Sequence, residues 1–233
     1  MAASAWMVLA VLAVSGCLET TESDPAPSPS PTASPAAACP DAKSFRATLL
    51  NATIETTKGN IVVELYGDRS PITVCNFLRY AEEKFYEGVV WHRICTHVIQ
   101  AGGEDPYTHE QRKAHPPIKN EANTSQLRNH RYTLGMARGF NESNPSDPKT
   151  VNSATSHFFV SVKDNYHLDY DGPNAPGFAV FGNVTAGHAV VADIADTAIV
   201  PDAPREAGPL YRGCQGAPAP HDQTTILRIG VGG

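Results

Sequence analysis

The stretch Val90–Gly103, VWHRICTHVIQAGG, constrains the fold of this chain more than any other. It sets His92-Arg93-Ile94 in apolar and aromatic company and closes on a glycine pair, Gly102-Gly103. An arginine in such a run, just ahead of a glycine break, predicts a strand that carries a cation into a cleft. Two further stretches follow the same logic. Ser153–Phe159 (SATSHFF) puts polar residues beside a Phe-Phe pair, and Gly177–Gly182 (GFAVFG) reads as a short buried strand.

Around these stretches the chain alternates short strands with few helices. Ala47–Tyr66 contains two strand-like runs about Lys58-Gly59-Asn60, a hairpin signal. Ser70–Tyr86 predicts a helix, with Ser70 as N-cap, Pro71 in the first turn and Ile72, Val74, Phe77, Leu78 and Ala81 on one face. Residues 104–127 and 139–152 read as loops. Strands are predicted at Tyr132–Ala137, His157–Val162, Phe178–Val184 and Thr224–Val231, and a helix near Gly187–Ala195. Many strands with only two helices suggest a barrel or sandwich.

The N-terminal part has a different composition. An apolar run, Ala5–Val14, is too short to span a bilayer and fits the core of an export signal, although no Lys or Arg precedes it. Val14-Ser15-Gly16-Cys17 looks like a bacterial lipobox, which makes Cys17 the expected lipid-attachment site; an ordinary cleaved signal is the alternative. Residues 18–38 are rich in Pro, Ser, Thr and Ala and read as a solvated tether. The expected division is therefore 1–17 export signal, 18–38 tether and 39–233 folded domain. Either reading of Cys17 implies export to the cell envelope or periplasm. The net charge of −6 argues against a nucleic-acid partner.

The motifs WHRI, IQAGG, PIKNEA (Pro117–Ala122), MAR (Met136–Arg138), SATSHFF and FAVFG together resemble the cyclophilin family of peptidyl-prolyl isomerases, above all its periplasmic bacterial branch. The resemblance runs from Ala47 to Gly230. It implies a mainly β fold, a closed eight-stranded antiparallel barrel with two capping helices. It also implies peptidyl-prolyl cis-trans isomerase activity without a cofactor, in a monomer acting on Pro-containing segments of exported or unfolded proteins.

That chemistry is conformational. Resonance sets a barrier of roughly 20 kcal/mol to rotation about the bond before proline, and lowering it by about 7 kcal/mol gives on the order of 10⁵-fold acceleration. A donor aimed at the proline nitrogen binds the twisted state better than the planar one. The resemblance assigns that role to Arg93; without the surrounding motif, one arginine on a strand would be expected in a surface ion pair. His92, His97, Val98, Gln100, Ala137, Arg138, His157, Phe159, His167, Leu168 and Phe178 are implied at the substrate. Phe159 and Leu168 would line the proline pocket, and Arg138 would act through its backbone. His157 stands where the family has a glutamine, and His167 where many eukaryotic members have a tryptophan.

Residues 95–101 allow two registers. If Gln100 matches the family glutamine, the chain is one residue shorter before it, and His97 replaces a pocket phenylalanine with Val98 beside it. Without a gap, Val98 and Ile99 enter the pocket and the glutamine is lost. The missing aromatic also admits an alternative, a catalytically weak module that binds Pro-containing peptides. A histidine-based metal protein is a more distant one: His92, His97, His157 and His167 could meet around a cleft, but no HxxxH or CxxC spacing accompanies them, so no metal site is expected.

With Cys17 lipidated, four of the five cysteines remain. Cys39 and Cys214 flank the domain and are the candidate disulfide; Cys75 and Cys95 would pair only as the remainder.

Overall fold

The computed structural model describes residues 50–105, 107–200, 214 and 217–232. The expected signal, Cys17, the tether and Cys39 lie outside the described residues. Among the described residues no helix is long and apolar enough to cross a membrane.

Period-two alternation builds the first hairpin. In β1 (Leu50–Thr56) and β2 (Gly59–Leu65), every second side chain is buried: Ala52, Ile54 and Thr56 on one, Ile61, Val63 and Leu65 on the other. Their register runs from Leu50↔Leu65 to Thr56↔Gly59. A one-residue slip would turn the whole apolar set outward.

The helix α1 (Pro71–Glu82) has Ser70 at its N-cap, as predicted, but Ser70 does not cap it. Its hydroxyl donates instead to the Val180 carbonyl at 2.7 Å. The cap comes from Glu121, which precedes the single-turn α2 (Ala122–Ser125). Its carboxylate accepts from the Ile72 and Thr73 amides at 3.2 and 2.8 Å and from the Thr73 hydroxyl at 2.7 Å. This satisfies amides that the first helical turn leaves unpaired. Burial pushes the Glu121 pKa up, and the bonds from Thr73 and Ile72 pull it back.

The remaining elements are β3 (Val89–Val90), β4 (Arg93–Ile94), β5 (Val98–Ala101), β6 (Thr133–Met136), α3 (Pro148–Val151), β7 (Phe158–Ser161), β8 (Val180–Ala186), α4 (His188–Ala195), β9 (Ile199–Val200), β10 (Ala217–Pro218) and β11 (Thr225–Gly232). One nine-stranded sheet has the order β3-β11-β1-β2-β8-β6-β7-β5-β4, and β9 pairs with β10 apart from it. The expectation of a closed eight-stranded barrel is corrected here. The sheet is an open, curled, antiparallel one whose edge strands, β3 and β4, are consecutive in the chain. Each is only two residues long. Trp91-His92 carries the backbone between them, so the covalent chain, not a ladder of hydrogen bonds, bridges the gap.

Inside the curl, Phe77 from α1 sits 5.3 Å from Phe158 and from Phe181 and 5.5 Å from Tyr86, while Trp91 lies edge-on to Phe158. Val191 and Ile194 of α4 join the same core. The two longer helices are the ones expected; α2 and α3 are single turns within segments that read as loops.

Glu121→Ala should therefore destabilise the fold by about 1–3 kcal/mol, since it strips a buried cap from α1 and leaves amide donors unsatisfied. Urea unfolding checks this; an unchanged midpoint would mean that α1 does not depend on this contact.

Candidate active site

Arg93 lies on β4 and is 3 % exposed. The short hairpin β4–β5 pairs Arg93 with Gln100, and β5 in turn pairs Gln100 with Phe159 of β7. The guanidinium Nη1 donates to Gln100 Oε1 at 2.8 Å, and Nη2 donates to Cys214 Sγ at 3.3 Å. The long strand expected through Val90–Gly103 is thus broken into β3, β4 and β5, because the chain must turn at Trp91-His92 and again at Cys95–His97 to bring Gln100 opposite Arg93.

Gln100 holds Arg93, Val98 belongs to the second apolar cluster and Ile99 to the main core. His97 lies on the turn between β4 and β5. It is 4 % exposed, and its ring lies 5.9 Å from that of the exposed His167. Burial, with Arg93, His167 and Lys163 adding to it, lowers the His97 pKa to about 4, so its ring is neutral at physiological pH. His167 is also lowered, by burial and then Lys163, with Asp169 opposing.

Cys95, Val98, Ala137, Phe159, Leu168 and Phe178 form an apolar cluster separate from the core, with Cys214 against it. It contains Phe159, Leu168 and Phe178, three of the residues expected at the substrate. The Phe159 ring rests on Gly135 of β6, where a Cβ would come within 2.1 Å of the ring. Only glycine admits that approach. Phe178 stands edge-on to Phe159 at 6.1 Å, and the Phe178 amide donates to the Leu168 carbonyl at 2.9 Å. The Arg138 guanidinium covers Phe178 at 4.5 Å and donates to the carbonyls of Gly177 and Gly139 at 2.9 and 2.8 Å. Its side chain thus braces the pocket wall, a role beyond the backbone one implied by resemblance. Burial lowers its pKa to about 10, which leaves it charged.

His157 precedes β7 and receives the Ala137 amide on its carbonyl at 2.9 Å. Its ring lies against Gly102, whose φ of +146° favours glycine and whose missing Cβ would sit 2.3 Å from His157 Cδ2. Ser156 fixes this approach: its hydroxyl donates to the Gly102 carbonyl at 2.7 Å, and its carbonyl accepts from the Tyr86 hydroxyl at 3.0 Å. Burial holds the His157 pKa below the usual imidazole range; Glu104 opposes this and Arg93 adds to it. His92, 1 % exposed, touches Gln100 Nε2 through its own Nε2 at 3.4 Å, and its ring lies tilted at 5.1 Å from that of His157. The four histidines therefore split into two pairs. Of these, His92 and His157 lie with Glu104 so that one ligand atom from each falls within 4.8 Å of the others.

The disulfide expectation is corrected. Cys214 pairs with Cys95, across an isolated antiparallel bridge with Cα atoms 4.2 Å apart, and not with Cys39. Cys75 is also disulfide-bonded, but not to Cys95. Sequence reasoning missed both the Cys95–Cys214 bridge beside Arg93 and Glu104 beside the histidines. The available signal was position alone, two residues after Arg93 and one after Gly103.

The buried Arg93 guanidinium and this apolar cluster meet at the Cys95–Cys214 bridge. The model of the family described as cyclophilin type peptidyl-prolyl cis-trans isomerase matches residues 51–213. The chain is 43 % identical over 141 residues to the peptidyl-prolyl cis-trans isomerase cyp18 of Streptomyces antibioticus, covering 59 % of this chain and 78 % of that protein. It is 39 % identical over 142 residues to peptidyl-prolyl cis-trans isomerase B of Escherichia coli (strain K12), covering 60 % and 80 %. A Cryptosporidium parvum isomerase of the cyclophilin type, solved in the presence of the dipeptide Ala-Pro, superposes with a TM-score of 0.58 at 19 % identity over 78 % of this chain and 99 % of that one. The chain belongs to the cyclophilin-type peptidyl-prolyl cis-trans isomerase family and is an isomerase of that type.

The neutral, buried His97 has a consequence for stability. An unfolded chain's imidazole protonates near 6.5, whereas folded His97 does so only at about 4. Between those values the unfolded state binds more protons, so this contribution to stability is present above 6.5 and is lost as pH falls. His97→Phe should flatten the fall of the urea midpoint across that window. An unchanged slope would show that His97 is not held neutral.

Proposed function

We propose that this isomerase turns over X-Pro bonds of exported polypeptides and assists their folding, as a monomer tethered to a membrane of the cell envelope through lipid on Cys17. The observation that carries the reading is Arg93, held by Gln100, beside the Phe159–Leu168–Phe178 cluster, which we read as the proline pocket. The pocket anchors the proline ring, and the fixed guanidinium favours the state in which the imide nitrogen has lost conjugation. The chain binds the reacting bond and orients it; no proton or electron pair leaves the substrate. Arg suits the position because it stays charged and presents donors in a rigid fork. The export half of the reading is supported by the apolar run, the lipobox-like Val14–Cys17 and the Pro-rich tether.

Arg93→Ala should lower kcat/KM on an Ala-Pro peptide by at least about 100-fold, the loss typical of a donor aimed at a transition state, with circular dichroism unchanged. Near-normal turnover in a folded variant would remove Arg93 from its role. Peptide binding with negligible turnover by the native chain would favour the weakly catalytic module that His97 admits. For the anchor, mass spectrometry of the mature N-terminus should find acylated Cys17, and Cys17→Ser should release the protein from membranes; an unmodified native N-terminus would contradict it.

A further inference from the structure

We propose that His92, Glu104 and His157 bind a divalent transition-metal cation of the zinc class, and that the bound cation lowers isomerase turnover by drawing His92 away from Gln100, the side chain that holds Arg93. The three ligand atoms already converge within 4.8 Å, and His92 Nε2 stands 3.8 Å from Glu104 Oε2. Nitrogen and oxygen ligands bind zinc at about 2.0–2.2 Å, so in a tetrahedral site they sit roughly 3.4 Å apart. Small side-chain rotations close that difference. Two imidazoles and one carboxylate form a three-ligand set suited to zinc, with a position left for water.

The surroundings are built for it. Gly102 lets the His157 ring come down beside His92, and the Ser156 bonds fix that approach. The Gln100 amide is a donor, so in its 3.4 Å contact His92 Nε2 is the accepting, unprotonated ring nitrogen, the one able to ligate a cation once that contact is given up. Glu104 is in turn oriented by His109 Nδ1 at 3.0 Å and by Gln111 Nε2 at 2.8 Å, contacts of the kind that steer metal ligands.

The coupling to turnover follows from the same atoms. His92 Nε2 cannot both ligate a cation and accept from Gln100. Once released, Gln100 no longer holds its Oε1 fixed on Arg93 Nη1, and a second positive charge lies close to the guanidinium. This half rests on the isomerase reading above; the binding half does not.

Titration calorimetry of the full-length protein with zinc chloride, and NMR of its histidine ring nitrogens, test the binding. Saturable uptake of one ion per chain is expected, with His92 and His157 nitrogens shifting together. Glu104→Gln and His157→Gln should each weaken it by more than about 100-fold, at least what loss of an orienting contact costs. Circular dichroism and thermal melts establish that both variants fold. A turnover assay with and without zinc, each variant compared with its own metal-free rate, tests the coupling: zinc should slow the native enzyme and leave both variants unaffected. No saturable uptake, or uptake that both variants retain, overturns the site. Uptake that depends on Glu104 and His157 but leaves native turnover unchanged overturns the coupling and keeps the site.

Discussion

A guanidinium carried into the wall of an apolar pocket stays there only if its donors are satisfied, because an unpaired buried cation costs several kcal/mol. Here Gln100 Oε1 takes one of those donors from Arg93 Nη1. This bond needs the two-residue β4, the turn through Cys95–His97 and the register that sets Gln100 opposite both Arg93 and Phe159. The Cys95–Cys214 bridge reinforces it, since its sulfur takes a second guanidinium donor and the bridge also packs on the pocket. In the chain-entropy view, a cross-link over a separation of 119 residues stabilises by about 4–5 kcal/mol. Fold, pocket and cation are thereby fastened at one place.

The pocket depends on what is missing as much as on what is present. Gly135 gives Phe159 its seat, and Gly102 gives His157 its own. Beside the cluster stand a buried, neutral His97 imidazole and the Cys95–Cys214 disulfide, chemistry that acid or a thiol–disulfide change could alter. His157 belongs to the cluster with His92 and Glu104, and His92 in turn touches Gln100, the residue that holds Arg93.

Much of this was legible in the sequence. Alternation in Leu50–Thr56 and Gly59–Leu65, the Pro71 helix and the motif strings led to the strands, α1 and Arg93, because those patterns are local. The two registers for residues 95–101 could not be separated by pattern, whereas the contact of Gln100 with Arg93 depends on the tertiary turn through Cys95–His97. The Ser70 cap was legible as a position but not as a bond, since Glu121, far along the chain, competes for the same amides and wins with a charge. Pairing of Cys214 with Cys95 depended on a tertiary bridge that no spacing encodes, and barrel closure depended on whether strands as short as β3 and β4 pair with each other. Histidine spacing likewise argued against a metal cluster because its third member is a carboxylate from a different part of the loop.

The central claim is that the proline of a substrate enters the Phe159–Leu168–Phe178 pocket with Arg93 at its imide. A crystal structure of the domain with a bound Ala-Pro peptide tests it most directly. The account predicts the proline ring against those three side chains, with an Arg93 donor turned onto the peptide at the proline while Gln100 keeps hold of the guanidinium. A peptide seated elsewhere, or an Arg93 that makes no contact with it, would contradict the account.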